Sequence, residues 1–169
     1  GDVADAELKA LFDAAGNMTE SLSSLRAICV AGGASKPEAI AAFETKWADN
    51  PLVMDKWFAV QAGTGNVAEI AALTEHAGFD LSNPNRVRSV IAVFAMQNLR
   101  AFHAPDGAGY QLVADIIEKA DKTNPALAAR LLTAFEQWKS LEPRARAAAE
   151  TALKRLQSGK LSENASDII

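Results

Sequence analysis

The chain has 169 residues, 49% of them hydrophobic, and a formal net charge of −4. That length and apolar content allow one well-buried core, or a short stack of helical units sharing a core, and they exclude disorder for most of the chain. The acidic balance, with a pI near 5.2, argues against nonspecific nucleic-acid binding, which needs a basic surface to displace counterions from phosphates.

No apolar run reaches the length of about 18 residues that would span a bilayer, so no membrane partner is expected. The N-terminal GDVADAELKA has neither a basic nor an apolar leader region, and Gly1 reads as a cloning remnant. Cys29 is the only cysteine, so no internal disulfide can form. It falls in an apolar helical pattern as a small buried thiol, and a reducing cytoplasm is the expected compartment.

In chain order, Leu8, Leu11, Phe12 and Ala15 form one face of a first helix that stops at Gly16-Asn17. Thr19 is the expected cap of a second, with Met18, Leu22, Leu25 and Cys29 at helical spacing up to Gly32-Gly33. Ser35 is the expected cap of a third, whose inner face is Ile40, Phe43 and Trp47. Asn50-Pro51 opens a fourth, with Val53, Met54, Trp57, Phe58 and Gln61 on one side. Asn66 opens a fifth, with Val67, Ile70, Ala71 and Thr74 inward, ending at His76-Ala77-Gly78.

Asn83-Pro84 starts the helix around which the chain is organised. Val87, Val90, Ile91 and Phe94 recur at i, i+3, i+4 and i+7, and Val93 and Met96 extend the apolar surface around it. After a Pro105-Asp106-Gly107 turn, with Asp106 as cap, Leu112, Val113, Ile116, Ile117 and Ala120 define the next helix. Asn124-Pro125 opens another that runs inward through Leu127, Ala128, Leu131, Leu132, Phe135 and Trp138. Pro143 opens an alanine-rich helix with Ala145, Ala149, Ala152 and Leu156 on one face, closed by Gly159. Residues 161–169 are a tail with room for a short helix capped by Ser162.

No segment alternates apolar and polar residues with β-branched enrichment, so the fold class is all-α, about nine helices stacked as antiparallel hairpins. Asn-Pro recurs as a helix start at intervals of 33 and 41 residues, close to the lengths of helical-repeat units. A cation follows each of these prolines by four or five residues: Lys56, Arg88 and Arg130. A positive charge early in a helix opposes its dipole slightly, by on the order of a few tenths of a kcal/mol, so helix stability does not explain the three, and a shared surface is expected.

Catalytic chemistry is absent from the pattern. His76 and His103 stand 27 residues apart and cannot form the i, i+4 pair of a hydrolytic zinc helix. The glycine-rich spots Thr64-Gly65 and Asp106–Gly109 lack a preceding strand and a phosphate-loop lysine, and read as turns. Trp47, Trp57, Phe58 and Trp138 fall in core phase, and His103 reads as a hydrogen-bonded structural residue. Arg88 and Arg130 stay open between a helix-to-helix tie and a ligand-facing role, because arginine serves both.

Five motifs in order and spacing carry a resemblance: Asn17-Met18-Thr19, VMDKWFAVQA from Val53, SNPNRVRSVIAVF from Ser82, FHAPDGAGY from Phe102 and NPALAARLL from Asn124. Together they resemble the C-terminal helical domain of bacterial aminopeptidase N, the zinc-dependent alanyl aminopeptidases. Leu99-Arg100 and Ala126 depart from the family pattern, as does the short tail after Leu161.

The resemblance implies a curved superhelix of the HEAT or ARM kind, with residues 1–160 as a single domain. It implies that the domain caps a preceding catalytic domain, its partner, and encloses the chamber through which peptides reach the zinc. Zinc would belong to the parent enzyme, with no catalytic residue, metal ligand or cofactor in this chain. Arg88 and Arg130 match family arginines that face the chamber and meet the carboxylate end of the peptide substrate. Arg86 is a third, more structural member. The competing reading is a free-standing helical-repeat scaffold for a protein partner.

Overall fold

The structure, a computed structural model, describes residues 2–159, 161, 162 and 165, so most of the expected tail lies outside the described residues. Among the described residues all regular structure is helical. The α-helices are α1 (Asp2–Asp13), α2 (Met18–Ala31), α3 (Lys36–Trp47), α4 (Pro51–Ala62), α5 (Val67–Thr74), α6 (Pro84–Val87) and α7 (Val93–Gln97). They continue with α8 (Leu99–Phe102), α9 (Ala108–Asp121), α10 (Pro125–Leu132) and α11 (Pro143–Ser158). None is long and apolar enough to cross a membrane.

Asparagine side chains set most of the starts. Asn17, Asn50, Asn66, Asn83 and Asn124 each accept a hydrogen bond from a first-turn N–H, a cap that contributes about 1 kcal/mol apiece. After Asn50, Asn83 and Asn124 the proline at the first helical position gives up only an N–H that would have had no partner.

Two expected caps are corrected. Asn17, not Thr19, starts α2, because its Oδ1 reaches the Glu20 N–H at 3.0 Å. Ser35 makes no side-chain cap on α3. Its hydroxyl and N–H instead donate to the Asp5 carboxylate of α1, at 2.6 and 3.0 Å.

Consecutive helices pack as stacked hairpins. α2 lies on α1, α3 and α4; α4 carries α5 and the central helix; α9 carries α5, α8, α10 and α11. Buried side chains from α2 to α11 form one contiguous apolar cluster, which makes the stack a single core. The expected inner residues Val87, Val90, Ile91 and Phe94 are wholly inaccessible. Trp57 and Phe58 are buried beside them, and Trp57 Nε1 donates to the Ile40 carbonyl at 3.0 Å. On α1 the expected face is poorly covered: no residue of that helix is buried, and Leu11 is exposed.

Two helices expected to be continuous are interrupted. The central helix passes through a π turn at Arg88–Ala92, where the Val93 N–H bonds the Arg88 carbonyl five residues back. One extra residue is thereby accommodated without breaking the rod. The helix expected to run to Trp138 ends as α10 at Leu132 and continues as 3-10 turns at Thr133–Phe135 and Trp138–Ser140. The Thr133 hydroxyl takes the Arg130 carbonyl at 2.8 Å, a side-chain competitor for the backbone ladder. Phe135 stays buried, but Trp138 is only half-buried.

Gly109 fixes how α8 meets α9. A β-carbon there would stand 2.7 Å from the Phe102 carbonyl oxygen and 2.9 Å from its Cα, backbone atoms that cannot swing aside. Gly109→Ala is therefore expected to destabilise the domain by about 1–3 kcal/mol, the range for overpacking. Chemical unfolding followed by far-UV circular dichroism measures this, and an unchanged midpoint would refute the close approach.

Candidate functional site

The site grows from the start of the central helix. Pairing of the Asn83 side chain with the N–H groups of Asn85 and Arg86 fixes the first turn and so the direction of the arginines that follow. Arg86 turns inward and is 7% exposed. Its Nε donates to Asp55 Oδ1 at 2.6 Å, its Nη1 donates to the Gly78 carbonyl, and the guanidinium lies 4.5 Å from the Phe58 ring centroid. Burial of a guanidinium is tolerated when its donors find acceptors, and here α4, the end of the α5 loop and an aromatic face supply them.

The same network reaches α3. Gly78 N–H donates to His76 Nδ1 at 3.0 Å, and His76 Nε2 meets Glu44 Oε1 at 3.0 Å. A ring nitrogen that accepts carries no proton, so the network assigns the ring proton to Nε2.

Arg88 sits at the first position of the π turn, half-buried, and its Nη2 donates to Asn85 Oδ1. Arg130 is exposed in the last turn of α10. Among the described residues neither has a carboxylate partner, whereas Arg86 and Arg155 do. Lys56, the third cation of the recurring pattern, is exposed on α4. Arg86 is thus engaged on several sides, whereas Arg88 and Arg130, like Arg26, Arg100, Arg144 and Arg146, form no ion pair with a carboxylate among the described residues.

Sequence reasoning missed Asn98. It is 8% exposed, ends α7, and donates through Nδ2 to the Ala62 carbonyl at 3.0 Å and the Gly65 carbonyl at 2.7 Å. The central helix is thereby tied to the end of α4. An asparagine beside apolar residues gives no local sign of which distant carbonyls it will meet.

Also unforeseen is a groove of about 270 Å³ where the central helix and α10 end. Its lining includes Met96, Leu99, His103, Tyr110 and the residues from Thr133 to Trp138. His103 Nδ1 lies 2.8 Å from the Tyr110 hydroxyl, as expected for a structural histidine. Burial holds the His103 pKa below its ordinary value. Burial, with a smaller contribution from the Glu142 charge, pushes Tyr110 up to about 12. Both are therefore uncharged at neutral pH.

The described residues do not fit a zinc ion. No group of three or more His, Cys, Asp or Glu side chains among them converges on one point. His76 and His103 are each engaged elsewhere.

The whole of residues 1–169 matches a family described as a domain of unknown function with ARM repeats, DUF3458_C. The chain belongs to this family. Among curated proteins it is 41% identical over 141 residues to aminopeptidase N of Caulobacter vibrioides, and 36% identical over 158 residues to that of Escherichia coli. These alignments cover 82% and 92% of this chain but 16% and 18% of the relatives. The chain thus spans less than a fifth of the proteins it matches. A solved structure of Legionella pneumophila aminopeptidase A in complex with aspartic acid superposes with a TM-score of 0.91 at 31% identity, over 99% of this chain and 20% of that one. The resemblance to an aminopeptidase N domain, and the all-α ARM-like superhelix, are borne out.

Two measurements check the electrostatics. Arg86→Ala strands the Asp55 carboxylate in a part-buried site and is expected to cost about 3 kcal/mol, near the lower end for breaking a buried pair. Calorimetry reads it, and a loss below about 1 kcal/mol would reduce the tie to a surface contact. Tyr110 is the only tyrosine, so tyrosinate absorbance reports it alone. Its raised folded pKa means that the neutral form contributes stability fully below the ordinary value of 10.0, lost as pH rises toward about 12. Ionisation should coincide with loss of helical signal; tyrosinate appearing near pH 10 in a folded chain would contradict the burial argument.

Proposed function

We propose that the chain is the C-terminal helical domain of a zinc-dependent metalloaminopeptidase. Residues 1–160 form the domain, and residues 161–169 a tail. It covers the catalytic domain of the same polypeptide and gates the passage of peptides into a chamber where N-terminal amino acids are removed. The observation that carries this reading is the identity of 36–41% to aminopeptidase N over 82–92% of the chain. A free-standing scaffold would give no reason for that similarity. The zinc and its ligands belong to the remainder of the parent enzyme, since the described residues offer no cluster to hold a metal. Cytoplasmic residence fits the lone buried thiol of Cys29.

In this reading Arg88 and Arg130 receive the carboxylate at the far end of a short peptide. What supports it is the match of both positions to the family motifs; among the described residues neither has a carboxylate partner, so each is able to take one, though Arg26, Arg100, Arg144 and Arg146 are equally without. An arginine hydrogen-bonded to a carboxylate contributes about 1.5–3 kcal/mol, and less where water screens the pair. In the intact enzyme Arg88→Ala and Arg130→Ala are expected to raise KM for di- and tripeptides by about ten-fold or more, at the lower end of that range. An aminoacyl anilide, which has no such carboxylate, should change far less. Parallel kinetics on both substrates, with melting temperatures of the variants, decide it. Unchanged peptide KM in a folded double variant would return both arginines to a packing role.

The isolated chain is expected to have no peptidase activity of its own. Chelator-sensitive release of an aminoacyl chromophore by the purified 169-residue chain would overturn this.

A further inference from the structure

We propose that the turn from His76 to Gly78 is a pH-sensitive catch on the start of the central helix. A proton added to the His76 ring ejects the Gly78 N–H, and the Gly78 carbonyl then releases Arg86. The catch is built from contacts within this chain alone, whatever reaction the parent enzyme carries out.

Gly78 serves both sides. Its N–H donates to His76 Nδ1 at 3.0 Å, and its carbonyl accepts from Arg86 Nη1. A β-carbon at this position would stand 3.2 Å from His76 Nδ1 and 3.5 Å from Arg86 Nη1, so the backbone is wedged between the two nitrogens. Nδ1 accepts only while it carries no proton. Once protonated, it becomes a second donor aimed at the Gly78 N–H, and the two cannot keep their separation. The amide has to turn away, which shifts the carbonyl of the same residue.

The charges around the ring decide where that burden falls. Glu44 of α3 lies 3.0 Å from Nε2 and favours the charged ring. The neutral ring already donates from Nε2, and the His76 and Glu44 side chains are 27% and 35% exposed, so the added attraction is screened. Arg86 of the central helix opposes the new charge, because imidazole and guanidinium share the Phe58 ring, 5.4 and 4.5 Å from its centroid. Asp55 of α4 offsets part of the guanidinium charge at 2.6 Å. Lys36 of α3 and Glu69 of α5 line the same recess as His76 and are paired with each other. Asp80, beyond the turn, is taken by Ser82. Glu44 thus holds the ring at Nε2, and Gly78, at Nδ1, is the side that gives way. Arg86 keeps Asp55 and Phe58 but loses an acceptor. The first turn of the central helix, bonded to Asn83 through the Arg86 and Val87 N–H groups, loses an anchor with it.

Hydrogen exchange at single-residue resolution on the intact parent enzyme tests this between about pH 8 and pH 5, the span in which histidine side chains change charge. After correction for the intrinsic pH dependence of exchange, protection of the Gly78 amide is expected to fall by about three- to ten-fold on acidification, the weight of one hydrogen bond between neutral groups. The Arg86 and Val87 amides should follow in the same window by about two-fold or more. Two variants separate the proton on the ring from general loosening in acid. His76→Asn offers the Gly78 N–H a carbonyl oxygen in place of Nδ1, the acceptor of an Asx turn, which does not titrate. It is expected to keep all three amides protected across the range. His76→Gln lacks that acceptor and should show the acid level of Gly78 protection already at about pH 8. Constant Gly78 protection in the wild-type enzyme overturns the catch, and so does a fall of the same size in His76→Asn. Opening of Gly78 while Arg86 and Val87 stay fixed overturns the link to the central helix.

Discussion

Everything around the central helix depends on one buried guanidinium. Arg86 leaves water only because three different parts of the chain meet it: the Asp55 carboxylate of α4, the Gly78 carbonyl after α5, and the Phe58 ring. Loss of any one partner leaves an under-compensated charge in an apolar setting, so the three are held in one geometry. That geometry sets where the helix begins, and therefore where Arg88, two residues further on, emerges. His76 extends the tie to Glu44 of α3, so α3, α4, the end of α5 and the central helix share one polar network over the apolar core.

The far end of the same helix is fixed by a neutral device. Asn98 satisfies two carbonyls at the close of α4, groups that would otherwise be buried without donors. Between these two anchors lies the π turn at Arg88–Ala92, which accommodates one extra residue in the helix. Ser89 donates its hydroxyl to the Arg86 carbonyl at 2.8 Å, giving that group a side-chain partner where the backbone ladder changes step. The candidate cation thus sits on a segment whose register is set by packing at both ends. Such a segment suits presentation of a charge to a ligand, because its position does not depend on the ligand being there.

Much of the fold was legible in the sequence because its signals are local. Asparagine followed by proline announces a helix start through caps that reach only two or three residues, and the i, i+3, i+4, i+7 spacing at Val87, Val90, Ile91 and Phe94 needs only helix geometry to identify a buried face. The structural character of His103 followed from its place in a short turn, and the partner seven residues away, Tyr110, is also local. Where two neighbours compete, locality was not enough. Thr19 and Asn17 both suit a cap, and Ser35 was drawn off by Asp5, thirty residues earlier.

By itself, then, the sequence determined most helix starts, the buried faces and the all-α class; its reading of three cations set early in helices failed for Arg130, which the short α10 places in its last turn, where the dipole favours a positive charge. Only the tertiary structure decided that Arg86 is buried and paired while Arg88 has no carboxylate partner among the described residues. Arg86 and Arg88 are two residues apart, too close for composition to distinguish, but about 200° apart around an ideal helix. The partners that bury Arg86 come from Asp55 and Gly78, 31 and 8 residues away. The groove is lined by residues from α7, α8, α9 and the turns that follow α10, a set that no window of neighbouring positions contains.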